Sequence, residues 1–169
     1  MARNLILLFL SVLFFQVQAQ NPTVEIFLSE DCPISLSQSV ELRQLEADYA
    51  EKVDFVYRFP MSVDEEAVKE FMRKAQLNAP FTMEGAFERA KEIGATTMPE
   101  VFLYNAEGML TYRGRIDNSF AKVSQRNRGK QVRELHLAIE RVLNDPGTFF
   151  IANEAVGCLI SDKKVNPEP

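Results

Sequence analysis

Thr23-Val-Glu-Ile-Phe-Leu-Ser-Glu-Asp-Cys-Pro33 is the stretch on which the fold turns. Thr23 to Leu28 is a short run of β-branched and aromatic residues and reads as a buried strand. Pro33 then opens a helical pattern, and Cys32 stands at the junction. A helix start presents backbone N–H groups without partners and the positive end of the helix dipole, both of which favour a thiolate over a thiol. Proline suits the first helical turn, because its missing N–H would have had no partner there. From this stretch alone, Cys32 reads evenly as a reactive thiol or as a structural residue, a small hydrophobe or half of a disulfide.

Working outward, Pro33 to Glu51 reads as a helix with Leu36, Val40, Leu42, Leu45 and Tyr49 on its inner stripe. Val53 to Phe59 alternates as a strand, stopped by Pro60. Carboxylates after Ser62 mark a helix entry, with Val68, Phe71, Met72 and Ala75 as its apolar stripe to about Gln76. Gly85 to Ile93 is a shorter helix ended by Gly94. Val101 to Tyr104 and Met109 to Arg113 form a hairpin around the Asn105–Gly108 turn. Gly114 to Lys130 reads as a polar loop carrying Arg115, Lys122, Arg126, Arg128 and Lys130. Gln131 to Leu143 is an amphipathic helix, and an apolar piece, Val156-Gly-Cys-Leu-Ile160, follows in the tail. Two strands joined by a helix must be parallel through a right-handed crossover, whereas the late hairpin is antiparallel. The expected class is α/β, with a four-stranded mixed sheet flanked by helices.

The bulk numbers agree. The chain has 169 residues, 46% hydrophobic and 25% charged, enough for one domain with its own core. A net charge of −5 argues against nucleic acid, whose phosphates need a basic footprint. Two cysteines and one histidine cannot close a zinc site of Cys and His alone, and no phosphate-binding glycine motif is present. No metal and no cofactor are expected. Arg3, the apolar run Leu5 to Phe15 and Val17-Gln-Ala19 read as an export signal cleaved after Ala19. The expected organisation is a signal peptide over 1–19, a domain over 22–145 and a tail over 146–169 that carries Cys158. Cleavage would leave a periplasmic or secreted protein without stable membrane insertion, in a compartment that permits disulfides.

Four stretches carry a family resemblance: Asp31-Cys-Pro33, Gly94-Ala-Thr-Thr-Met-Pro-Glu-Val-Phe-Leu-Tyr104, Tyr112-Arg-Gly-Arg-Ile-Asp117, and the late Gly157-Cys-Leu-Ile160. In this order they resemble the thioredoxin fold, and within it the redoxin branch, the AhpC/TSA peroxiredoxin-like exported thiol oxidoreductases with antioxidant activity. The resemblance implies that Pro99 is cis, lies across from Cys32, and presents the backbone of Met98 to whatever docks there. It also implies a protein disulfide or a hydroperoxide as substrate, and a thiol electron donor.

The departures shape the chemistry. Ser35 stands where a dithiol protein has its second cysteine, and a hydroxyl cannot resolve a mixed disulfide. Ser29 can stand in for a peroxiredoxin threonine, but Glu25 sits where the matching proline belongs. Cys158 is the only other thiol, and Gly157 beside it allows close backbone approach. A bridge between the two cysteines would be either catalytic or structural, and by chain entropy alone worth roughly 4 to 5 kcal/mol. Arg113 and Arg115, two apart on a strand, would share a face, and a guanidinium beside Cys32 would lower its pKa. The alternative is a solvated pair with one salt bridge to Asp117. Glu30 and Asp31 are expected to face solvent, Glu100 to be a surface acid or a proton relay, and His136 to sit half-exposed on its helix. The basic loop from Lys122 to Lys130 could meet an acidic partner or an anionic membrane. Two further functions stay open: a Cu(I)-handling protein using Cys32, Cys158 and Met98, or a non-catalytic domain with a structural disulfide.

Overall fold

The computed structural model describes residues 20–147, 149–151 and 154–161. The expected signal at 1–19 therefore lies outside the described residues, as does 162–169. In chain order the elements are β1 (Thr23–Phe27), α1 (Pro33–Tyr49), β2 (Asp54–Arg58), α2 (Glu65–Ala75), β3 (Phe81–Thr82), α3 (Ala86–Ile93), β4 (Thr97–Met98), β5 (Glu100–Tyr104), β6 (Leu110–Gly114), β7 (Phe120–Lys122), β8 (Gln125–Arg126), α4 (Glu134–Asn144), β9 (Phe150–Ile151) and β10 (Cys158–Leu159).

The main sheet runs β3-β2-β1-β5-β6-β9. Its four inner strands are the expected mixed sheet: β1 is parallel to β2 and antiparallel to β5, and β5 is antiparallel to β6. Two-residue strands extend it at each edge, both parallel to their neighbours. Alternation along β1 divides the core. Val24, Ile26 and Leu28 join the cluster under α1, α2 and α4, with Leu42, Leu45, Val68, Phe71, Leu135 and Ile139. Phe27 points the other way, onto Phe102 at 5.7 Å edge-to-face, in the cluster with Ala90 of α3 and Met98.

Helix α1 corrects the expected inner stripe. Leu36 and Val40 are exposed, and the buried residues are Ile34, Ser35, Gln38, Ser39, Leu42, Leu45 and Glu46. The polar members have partners. Gln38 Nε2 donates to Asp117 at 3.0 Å. Glu46 accepts from the Tyr57 hydroxyl at 2.7 Å and from the N–H groups of Asn78 and Ala79 at 3.0 and 3.1 Å. Burial, together with the Glu46 charge, pushes the Tyr57 hydroxyl far above its ordinary pKa. Helix α2 starts at Asp64, whose side chain accepts from the N–H groups of Glu66 and Ala67, and α3 ends at Gly94 with φ 75°.

The tail is part of the fold. Asn105 Nδ2 donates to the Pro146 carbonyl at 3.0 Å, β9 pairs with β6, and β10 pairs antiparallel with β4. Among the described residues, no helix is long and apolar enough to cross a membrane.

Candidate functional site: a cysteine pair at a helix start

Cys32 is the N-cap residue of α1, with extended backbone (φ −90°, ψ 114°) and Pro33 in the first turn. The preceding loop is held locally: Cys32 N–H donates to the Ser29 carbonyl, Asp31 N–H to Ser29 Oγ, and Ser29 N–H to Ser35 Oγ. Cys32 is 1% exposed. Burial by itself would push its thiol up. Hydrogen bonding from Cys158, from the backbone N–H groups of Ser35 and Ile34, and from the Ser35 hydroxyl outweighs burial and holds it below the ordinary thiol range. The serine in the position of a second cysteine is thus a support for the first.

The loop opposite presents backbone. The Met98–Pro99 peptide bond is cis. The Met98 carbonyl accepts from Cys32 Sγ at 3.4 Å. On the same edge, β10 places Cys158 opposite Met98 and Leu159 opposite Thr97, and Ile160 N–H donates to the Thr96 carbonyl at 2.9 Å. Strand alternation turns the Leu159 side chain outward, 74% exposed, and Cys158 inward. Cys158 Sγ lies 2.7 Å from Cys32 Sγ. Gly157 makes this approach possible: a Cβ there would lie 2.0 Å from the Met98 oxygen and 2.5 Å from its carbonyl carbon. Ile34, Phe120 and Val156 close an apolar collar around the two sulfurs.

The two arginines are elsewhere, which corrects the expectation of a shared face near Cys32. Arg113 stacks over Phe102 at 5.0 Å and donates to Glu100 at 2.9 Å and to the Gly94 carbonyl at 2.6 Å. Arg115 makes a two-pronged pair with Glu134 of α4, both contacts at 2.7 Å. β6 ends at Gly114, whose φ is 156°, so strand alternation does not carry through to Arg115 and the side chains reach opposite layers. Neither pairs with Asp117, which accepts from Gln38, Gln131 and Ser119 N–H instead. His136 is half-buried beside Tyr49, at 3.3 Å from its hydroxyl.

Glu100 is not a surface acid. It is 4% exposed; one oxygen accepts from the N–H groups of Thr96 and Thr97 at 2.8 and 3.2 Å, and the other accepts from Arg113. It brackets the loop that carries Met98 and Pro99. The sequence signal was its place directly after Pro99, where a turn leaves N–H groups without strand partners. Glu100→Ala leaves the N–H groups of Thr96 and Thr97 without their acceptor, while Arg113 keeps the Gly94 carbonyl, and the expected loss is about 1 to 3 kcal/mol of folding stability, read by urea unfolding.

Ser35→Ala removes one of the hydrogen bonds that oppose burial at Cys32. The expected result is an upward shift of the Cys32 titration midpoint, read from ultraviolet thiolate absorbance against pH. At any pH below the variant's midpoint less thiolate is present, so thiol reactivity falls and recovers as pH rises. An unchanged midpoint would remove Ser35 from the set of supporting groups.

The fold is shared with known structures. An uncharacterised conserved protein from Geobacillus kaustophilus has a similar structure, with TM-score 0.73 and 22% identity over 90% of this chain and 82% of that one. A hypothetical protein from Sinorhizobium meliloti 1021 is similar with TM-score 0.65 and 24% identity, over 84% and 80%. A thioredoxin-like protein from Aeropyrum pernix is similar with TM-score 0.57 and 10% identity, over 73% and 79%. At these identities the likeness is one of fold, and the fold is thioredoxin-like. Comparison with curated proteins gave no match. The Redoxin family model matches residues 15–126, the larger part of the chain, ending before the segment with Cys158. The match spans well over half of the sequence, and the chain belongs to the Redoxin family.

Proposed function

We propose that the protein is an exported thiol–disulfide oxidoreductase in which Cys32 is the nucleophile and Cys158 resolves the mixed disulfide. The observation that carries this reading is the 2.7 Å approach of the Cys158 sulfur to a Cys32 whose pKa is lowered. The Cys32 thiolate attacks one sulfur of a substrate disulfide, forms a mixed disulfide and releases the first substrate thiolate. The Cys158 thiolate then attacks Cys32 Sγ, releases the second substrate thiol and leaves a Cys32–Cys158 disulfide. The substrate gains two electrons and the protein loses two, which an external dithiol donor restores. Met98 and Pro99 position the incoming segment through backbone. Arg113 acts through Glu100 on the loop that carries them, whereas Arg115 braces α4.

A disulfide fits the site better than a hydroperoxide. Both arginines that could stabilise a peroxide oxyanion are committed to carboxylates, and Glu25 is tied to Arg58 and Arg89. Export rests on the leader read at 1–19.

The test mixes fully reduced protein with one equivalent of bis(2-hydroxyethyl) disulfide or of hydrogen peroxide and counts thiols released and consumed. Rapid loss of two protein thiols with release of two mercaptoethanol molecules is expected. Rapid reaction with peroxide alone would make the protein a peroxidase. Slow reaction with both, combined with Cu(I) retention under reducing conditions, would favour metal handling. The same result without copper binding would leave a structural disulfide.

A further inference from the structure

The stretch 118–132 contains four cations, Lys122, Arg126, Arg128 and Lys130, and no acid, in a chain of net charge −5. It is not the plain loop that its polarity suggested. β7 and β8 form a hairpin, with Phe120 opposite Arg126 and Lys122 opposite Gln125. Its base is fixed by backbone and amide contacts: Asn127 N–H donates to the Ser119 carbonyl at 2.8 Å, Asn118 Nδ2 to the Lys130 carbonyl at 2.8 Å, and Val132 N–H to Asn118 at 2.7 Å.

Two further observations give the charge a direction. Phe120 is buried in the same small cluster as Cys32 and Ile34, so the hairpin stands on the rim of the cysteine pair. Arg126 stacks over Phe120 at 4.9 Å and donates to Ser37 on the first turns of α1. Five arginines of the body are neutralised in place, Arg58 and Arg89 on Glu25, Arg113 on Glu100, Arg115 on Glu134 and Arg133 on Glu41, whereas Arg43 donates to Gln76. Among the described residues, no carboxylate lies within ion-pair distance of the four hairpin cations, and all four are exposed. Of the two acids before Cys32, Glu30 is engaged by the Ser62 hydroxyl, and Asp31 is exposed with an interaction of its own, so the positive charge at the rim is that of the hairpin.

From this juxtaposition we infer that the β7–β8 hairpin is a docking surface for an acidic, cysteine-bearing polypeptide that exchanges disulfides with Cys32. The inference rests on the redox reading of the cysteine pair and adds the charge class of its partner. An acidic partner is drawn to the rim by long-range attraction, which raises the encounter rate more than the affinity. A partner rich in lysine is repelled before its sulfur reaches the site. An anionic membrane offers the same charge, but it cannot bring a disulfide to a sulfur enclosed by Ile34, Phe120 and Val156. A polypeptide is therefore the favoured occupant.

The experiment uses two synthetic disulfide-bridged peptides of identical core, flanked by aspartates in one and by lysines in the other. Bis(2-hydroxyethyl) disulfide is the neutral control. Reduced full-chain protein is expected to react roughly tenfold faster with the acidic peptide than with the basic one at low ionic strength, a gap that closes at high salt. The double variant Lys122→Glu/Arg128→Glu is expected to invert the preference and leave the rate with the neutral disulfide unchanged. Equal rates for both peptides at low salt in the parent overturn the inference. If the neutral disulfide is not reduced at all, the redox reading has failed, and docking is then read by fluorescence anisotropy of a dye-labelled, cysteine-free acidic peptide. Salt-sensitive binding lost in the double variant supports the surface, and no binding overturns it. Binding to phosphatidylglycerol–phosphatidylcholine vesicles with none to the acidic peptide also overturns it.

Discussion

Cys158→Ser is expected to halt the protein after a single reaction event while leaving that event close to the parent rate, and Cys32→Ser to abolish reaction outright. The asymmetry follows from geometry. Cys32 has the helix-start N–H groups and the Ser35 hydroxyl that favour its thiolate. In Cys158→Ser the new side chain still offers an O–H to the Cys32 sulfur, so Cys32 keeps most of its support. A hydroxyl cannot attack the mixed disulfide, so the substrate half stays bonded to Cys32. Rapid-quench mass spectrometry reads both outcomes: one substrate adduct per chain on Cys32 in Cys158→Ser, none in Cys32→Ser. Sustained turnover by Cys158→Ser with a dithiol donor would mean that the donor, not Cys158, resolves the intermediate.

The second large effect comes from a residue with no reactive group. Gly157→Val retains both sulfurs, yet its Cβ has no room against the Met98 carbonyl, 2.0 Å away, or against Pro99 Cδ, 3.0 Å away. The obstacle on the Met98 side is backbone that Glu100 fixes in place through Thr96 and Thr97. Strand β10 is therefore expected to leave β4 and carry Cys158 with it. Displacement by even an ångström or so costs a reaction of this kind on the order of a hundredfold, and multiple turnover should fall at least that far. The first event at Cys32 should survive, and limited proteolysis should cut the tail while the body stays resistant. A Gly157→Val protein with parental turnover would show that the tail strand has no part in resolving the disulfide.

Sequence reasoning reached the centre of this fold because the four inner strands announce themselves. β1 and β5 are short apolar runs, the first followed after a short loop by Cys32 and the second preceded by Pro99, and their burial is complete along Val24, Ile26, Val101 and Leu103. Helix α1 was legible as a helix but not in its facing. Its inner side carries Gln38, Ser39 and Glu46, each holding a hydrogen bond to a partner distant in sequence or to its own helix, so hydrophobic periodicity pointed to Leu36 and Val40 instead. The short strands β3, β4, β7, β8, β9 and β10 were missed for a related reason. Two or three residues carry no alternation, and their pairing is set by what they dock against. Gly157 was readable as a close approach, but the atom that it approaches was not. Arg113 and Arg115 failed through Gly114, which ends the strand between them. Glu100 failed because its three partners, Thr96, Thr97 and Arg113, assemble only after the hairpin folds.

The most direct test of the account is disulfide mapping of the parent protein during reaction. Fully reduced protein is mixed with one equivalent of bis(2-hydroxyethyl) disulfide, quenched by acid and alkylation, digested and analysed by mass spectrometry. The account predicts a peptide pair joined through Cys32 and Cys158 within one chain, preceded at the earliest times by a mercaptoethanol adduct on Cys32 alone. A lasting adduct on Cys32 with Cys158 alkylated, a first adduct on Cys158, or a bridge between two chains would contradict it.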